Sequence, residues 1–247
     1  MKDSTDFTET EAYSKIYNFI LMVDDSIKNS EQRRSEHHMS ILANIFEIVD
    51  STEKDPSPQR YANMAAKTVF QRICGAYDDE HLKNSFGNQI RLDYGTGHEL
   101  NFLCYLYTHH CRGDISLDCV FTTLVRYFEV VRLFVSKFNL EPAGSHGIWG
   151  LDDYQFLPFL FGSSELCNTR LRFDELNDSM CYFVAVKKKL GGTSQILNSI
   201  MDKDWPKVNR GMIRMYDDHV LRRSVVTQHF IYGEYLKKDR SLATKEL

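Results

Sequence analysis

Between Leu117 and Phe138, apolar side chains fall at Leu117, Val120, Phe121, Leu124, Phe128, Val131 and Phe134. This i, i+3, i+4, i+7 spacing puts one continuous stripe on an α-helix and none on a strand. A stripe several turns long has to be covered by other elements, and the rest of the chain offers mainly helices. Ile16, Phe19, Ile20 and Val23 repeat the pattern over Glu11 to Ile27, and Met39, Leu42, Ile45, Phe46 and Val49 repeat it again. Pro56 and Pro58 end that second helix, since proline lacks the N–H donor and restricts the residue before it. Further helices are expected at Gln59 to Cys74, Asp78 to Phe86 and His98 to Cys111. Others are expected at Phe173 to Leu190, Thr193 to Ile200 and Lys207 to Leu221. Strand signals are confined to a short β-branched and aromatic run at Cys181 to Val186, which suits a buried helix equally well. The expected fold class is all-α.

With 247 residues, 43% hydrophobic and 26% charged, the chain has enough apolar mass for one compact body. Its 34 acidic and 30 basic residues give a formal charge of -4, so no global field draws it to nucleic acid or to an anionic membrane. No run approaches the ~18 apolar residues of a spanning helix. Met1 to Thr10 is polar and acidic, unlike a secretory or transit segment. The expectation is a cytoplasmic chain, with nuclear residence left open and no nucleic-acid or membrane partner. Six cysteines without a CxxC pair read as buried thiols.

Two glycine-punctuated segments are where chemistry would sit. In SFGNQIRLDYGTGHELNF, Ser85 to Phe102, Gly95, Thr96 and Gly97 form a turn ahead of a helix, where backbone N–H groups can receive a phosphate or carboxylate. Arg91 could add a bidentate contact. A structural alternative has Thr96 capping the helix and Glu99 completing the cap. Neither the GxGxxG nor the GxxxxGK[ST] pattern is present, and His98 with Glu99 does not make HExxH. In EPAGSHGIWGLDDYQFLPFLFGSSEL, Glu141 to Leu166, three glycines let a loop bend closely, and Trp149 and Tyr154 offer aromatic surface. Asp152 and Asp153 are paired carboxylates suited to Mg2+ when phosphate oxygens share the ion. Asp153 is the sharper metal candidate if Asp152 serves as a cap.

These two stretches resemble the signature motifs of the phosphotyrosyl phosphatase activator family, also called protein phosphatase 2A activators. WPKVNRGMIRMYDDHVL and VTQHFIYGEYL, Trp205 to Leu236, resemble its C-terminal signature. The resemblance implies one helical domain over 1–247 with core, linker and lid lobes around a deep pocket. Residues 10–90 would supply the N-terminal helices and part of the lid or linker, and 91–247 the core. It implies an activator and assembly chaperone of the phosphatase 2A catalytic subunit, with ATP and Mg2+ in a composite site. Arg91, Thr96 and Gly97 match nucleotide-contacting positions; Gly147 and Asp153 match magnesium-associated ones. Peptidyl-prolyl isomerase activity on a proline-containing segment is also implied, with Trp149, Asp152, Tyr154 and Phe156 as candidate groove or partner residues and no residue named as catalytic. A non-catalytic phosphatase-binding scaffold and a free-standing Mg-dependent nucleotide hydrolase stay open as alternatives, as does a homodimer. After HFIYG the chain departs from the family pattern, and Lys237 or Lys238 could reach phosphate instead.

Overall fold

The computed structural model describes residues 6–144, 150–189, 194–200 and 202–239. The sequence stripe is helix α6 (Leu117–Phe138), with Val120, Leu124, Phe128, Val131 and Phe134 fully buried. Asn139 ends it in the left-handed conformation at φ 51°, which a short polar side chain tolerates better than most. Helices α1 (Glu11–Asn29) and α2 (Glu36–Ser51) pack on α6, and α1 also reaches α5 (Thr96–Arg112) and α7 (Leu157–Leu166). Helices α8 (Cys181–Lys187) and α10 (Trp205–Tyr216) pack on α7 as well. One apolar core runs through all of them, from Phe7 to Leu236. Shorter helices α3 (Ala66–Ala76), α4 (Glu80–Lys83), α9 (Gln195–Ile200) and α11 (Ser224–Thr227) complete the body. The fold is all-α, and among the described residues its only sheet is a parallel pair of two-residue strands, β1 (Asp93–Tyr94) and β2 (Glu141–Pro142).

Several boundaries differ from expectation for local reasons. The helix expected from Gln59 starts only at Ala66, because Asn63 makes the backbone an alternative offer. Its side chain bonds Asp55 at both N–H and C=O and also accepts from Ala65 N–H, in the way asparagine competes with helix formation. The span Phe173 to Leu190 breaks into a 3-10 turn at Phe173–Glu175 and α8, with Asn177 accepting from Ser179 N–H between them. The span Lys207 to Leu221 ends in a π turn at Asp217–Leu221. Tyr13 of α1 donates to Asp217 at 2.8 Å, and Arg222 closes the triad. The cysteines divide: Cys104, Cys119 and Cys181 are buried as expected, whereas Cys74 and Cys111 are exposed and Cys167 is half-buried, all as free thiols.

Helix α7 has no apolar stripe because nearly every face is covered; only Glu165 among its ten residues is not buried. Gly162 lets α8 approach its backbone. A Cβ there would lie 2.5 Å from Tyr182 N and 2.7 Å from Tyr182 Cα, so main chain rather than a side-chain tip would have to move. Gly162→Ala should therefore lower stability by about 2 kcal/mol, read as a lower melting temperature with far-UV circular dichroism unchanged before the transition.

At the centre, α1, α7 and α10 are joined by a buried polar network. Asp24 Oδ1 accepts from Ser164 Oγ at 2.6 Å and from Asn209 Nδ2 at 2.9 Å. Lys28 Nζ spans Asp24 Oδ2 at 2.5 Å and Asn209 Oδ1 at 2.7 Å. The C-terminal segment crosses the start of α1, where Lys237 and Asp239 carbonyls accept from Ala12 and Glu11 N–H. That tail thus satisfies donors that a helix N-terminus leaves open.

Candidate functional site

The site is assembled by the small β pair. Asn88 accepts from Ile90 and Arg91 N–H and folds a tight turn. Leu92 then passes through φ 52°, an uncommon conformation for a branched residue. This delivers β1 alongside β2, with Asp93 opposite Glu141 and Tyr94 opposite Pro142. Glu141 N–H donates to Leu92 C=O and Ala143 N–H to Tyr94 C=O. Two segments some fifty residues apart in sequence are thereby locked edge to edge. Gly95 permits the contact, since a Cβ there would sit 3.0 Å from the Ala143 methyl. Tyr94 anchors the pair inward: its hydroxyl lies 2.8 Å from that of Tyr127, which donates to Ser85 C=O at 2.6 Å.

The N-terminus of α5 follows directly. Gly95 is its N-cap and Thr96 its first residue, and His98 Nδ1 accepts the Gly95 N–H at 3.2 Å. The alternative in which Thr96 caps the helix and Glu99 completes the cap is therefore corrected. Glu99 instead turns into the core and caps a different helix: its Oε2 accepts from Phe156 N–H at 2.9 Å and Leu157 N–H at 3.1 Å, the start of α7. Asp152 Oδ1 accepts from the two preceding amides, Tyr154 at 2.7 Å and Gln155 at 3.0 Å. Two carboxyls from two segments thus cover four consecutive N–H groups. Burial raises the Glu99 carboxyl to about 8 despite those bonds, with the Asp152 charge adding to the rise. Burial also holds His98 down at about 4, so its ring is a neutral acceptor at ordinary pH.

Each expected site residue has a definite place. Arg91 is exposed, held by one bond from Nε to Asp93 Oδ2 at 2.6 Å. Thr96 and Gly97 lie half-buried in the first turn of α5, where amides have no intrahelical acceptor. Val226 of α11 lies over Gly97, 3.6 Å from where a Cβ would be. Asp152 is buried in its turn, while Asp153 and Tyr154 are half-buried beside it. Tyr154 donates its hydroxyl to Leu140 C=O at 2.9 Å. Phe156 is core rather than groove surface: it is buried and meets the Tyr216 ring edge-on. Gly147 and Trp149 lie outside the described residues. Lys237 and Lys238 belong to the tail over α1, where the Lys237 carbonyl accepts from Ala12 N–H. His109 sits 3.1 Å from Asp114 and packs edge-on against His38.

Open clefts of about 690, 440 and 460 Å³ indent the described surface. None of the three is a deep pocket between the signature segments; the second touches the site through Arg91, Leu92 and Glu141. Among the described residues no group of three or more His, Cys, Asp or Glu side chains is placed to hold a metal. A divalent ion here would need phosphate oxygens as further ligands, which is how Mg2+ is commonly held. The exposed Arg91, the first-turn amides of Thr96 and Gly97, which have no intrahelical acceptor, and the carboxylate of Asp153 are of the right type for a nucleotide with such an ion. Among the described residues no helix is long and apolar enough to cross a membrane.

Comparison with known proteins gives a consistent result. The family model described as phosphotyrosyl phosphate activator (PTPA) protein matches residues 76–238. A serine/threonine-protein phosphatase 2A activator from Encephalitozoon cuniculi is 80% identical over 247 residues, covering 100% of both chains. Serine/threonine-protein phosphatase 2A activator 2 of Yarrowia lipolytica is 40% identical over 96% of this chain and 80% of its own length. The crystal structure of the PP2A phosphatase activator Ypa1 superposes with a TM-score of 0.77 at 24% identity, over 96% of this chain and 92% of that one, which supports the fold. With both signature segments and the shared helical architecture in place, this chain belongs to the phosphotyrosyl phosphatase activator family.

Proposed function

We propose that the protein activates the catalytic subunit of phosphatase 2A, binding it directly and holding ATP with Mg2+ in a site completed by that partner. The observation that carries this reading is the locking of the two signature segments by the β1–β2 pair and the Glu99 cap, together with family membership. Thr96 and Gly97 amides would receive phosphate at the positive end of α5. Arg91 would add charge from outside, and Asp153 with Gly147 would stand at the ion. When bound, Mg2+ would neutralise phosphate charge; the protein's own part is to orient and to exclude water. The exposed setting of Arg91 favours a shared site, because an anion held there stays open to a second protein.

Calorimetry with ATP-Mg2+ on this protein, on the catalytic subunit and on their mixture tests the reading. Strong binding is expected only in the mixture, and Arg91→Ala should weaken it about tenfold, the loss of one charge-assisted contact. A mixture that forms a complex yet binds no nucleotide would reduce the protein to the scaffold alternative. Phosphate release by this protein alone would instead favour the free-standing hydrolase.

Prolyl isomerisation is a second activity we attach to the same face. It needs no nucleophile, only a groove that favours the twisted amide over a barrier of about 18–20 kcal/mol. Tyr154 is the described residue that offers partly exposed aromatic surface there, and catalysed exchange of a proline-containing peptide is its assay.

A further inference from the structure

Six large apolar side chains stand exposed among the described residues, and three of them, Tyr61, Met64 and Ile90, line a single cleft of about 440 Å³. Ile90 is 82% exposed and Tyr61 63%. Ile90 rides on the Asn88 turn, its own N–H bonded to Asn88 Oδ1 at 2.9 Å. Tyr61 carries the Arg60 guanidinium 5.3 Å from its ring. Isolated exposed apolar residues need no explanation, but a cluster in one concavity marks a contact surface.

The cleft is also basic. Arg60, Lys67 and Arg91 stand on its wall against one carboxylate, Glu141, in a chain whose formal charge is -4. Arg60 and Lys67 have no ion-pair partner among the described residues, and Arg91 spends only its Nε on Asp93. Helix α3 begins at this wall, with no acidic residue in its first turn and no side-chain cap, so its positive end adds to the field. Apolar anchors beside two cations without an ion pair among the described residues, Arg60 and Lys67, fit one kind of occupant.

We propose that this cleft is the docking surface for an acidic segment of the protein partner that also carries an apolar anchor side chain. The proposal rests on the reading that the partner is the phosphatase catalytic subunit, and it adds where that subunit is gripped. Ile90 and Tyr61 receive the apolar side chain, while Arg60 and Lys67 face the carboxylates. Because the cleft reaches β1 through Arg91 and Leu92, a partner seated in it would lie beside the nucleotide positions and could complete them.

The test measures the affinity of the full-length protein for the catalytic subunit at several salt concentrations, for wild type, Ile90→Asp and Lys67→Glu. Circular dichroism and ATP-Mg2+ calorimetry are run on the same samples. Wild type should bind with an affinity that falls as salt rises. Ile90→Asp should weaken binding at least tenfold, and Lys67→Glu should both weaken it and flatten the salt dependence, with the fold of each unchanged. Wild-type binding with both variants inside tenfold would overturn the docking surface and leave the activator reading standing. Weakening by Ile90→Asp with an unaltered salt slope in Lys67→Glu would overturn the acidic chemistry of the partner segment. No binding by wild type would overturn the activator reading and the docking surface together.

Discussion

Replacing Asp24 by alanine should cost about 3 kcal/mol, a large share of the roughly 5–15 kcal/mol that holds a folded domain. Asp24 is 7% exposed and is the only acid in its network, taking hydrogen bonds from Ser164 and Asn209 and an ion pair from Lys28. Without it, three donors on three helices lose one shared acceptor. The loss stays at the lower end of the range for broken buried pairs because Lys28 is partly exposed and can turn to water, and because Asn209 and Ser164 are already 3.0 Å apart. Asp24→Asn should cost less, since one oxygen remains to accept. Urea denaturation of the three proteins checks this: midpoints should fall in the order wild type, Asn, Ala, with equal slopes. A midpoint for the alanine variant equal to wild type would mean the network adds no net stability.

That network shows where the sequence was silent. The stripe of α6 was legible to the residue, because the whole pattern is local and repeats over several turns. Helices α1, α2 and α5 were legible to within two or three residues for the same reason. Helix α7 was not, because a helix buried on all sides has no polar face to set a period. The buried role of Asp24 was also hidden. A charged residue on α1 reads as a solvated face until Ser164 and Asn209 arrive from 140 and 185 residues away.

The candidate site was legible in pieces. The glycine turn at 95–97 and the paired aspartates stood out by type and spacing, and Asp152 took the turn-capping role that leaves Asp153 as the more exposed carboxylate. What joined them was unreadable, since strands of two residues have no pattern of their own. Glu99 did carry a signal: it shares a helical face with Phe102, Leu103 and Leu106, all buried, so a carboxylate at that position has to find a partner inside. Phe156 misled in the other direction, because an aromatic beside a glycine-rich loop suits a groove and a core alike.

Glu99 gives the second large effect, in stability against pH. Its folded carboxyl is raised to about 8 from an ordinary 4.5, so between those values the folded state holds a proton that the unfolded chain has released. Its contribution is full below about 4.5 and is lost as pH rises toward 8, at up to ~1.4 kcal/mol per pH unit. Glu165, also raised by burial, acts with the same sign. His38 and His98 act oppositely: burial lowers both from 6.5 to about 4, so their contribution is lost as pH falls from 6.5 to 4. Wild type should therefore be most stable near pH 6.5 and weaken toward pH 8. Glu99→Gln keeps an oxygen for Phe156 and Leu157 N–H but cannot ionise, so it should remove most of the decline between pH 6.5 and 8. Glu99→Ala leaves those two buried donors without an acceptor and should cost about 3 kcal/mol at pH 6.5. Melting temperatures from pH 4 to 9 decide the matter. If the glutamine variant declines above pH 6.5 as steeply as wild type, the proton is held elsewhere, and the carboxyl joining α5 to α7 is ionised in the folded protein.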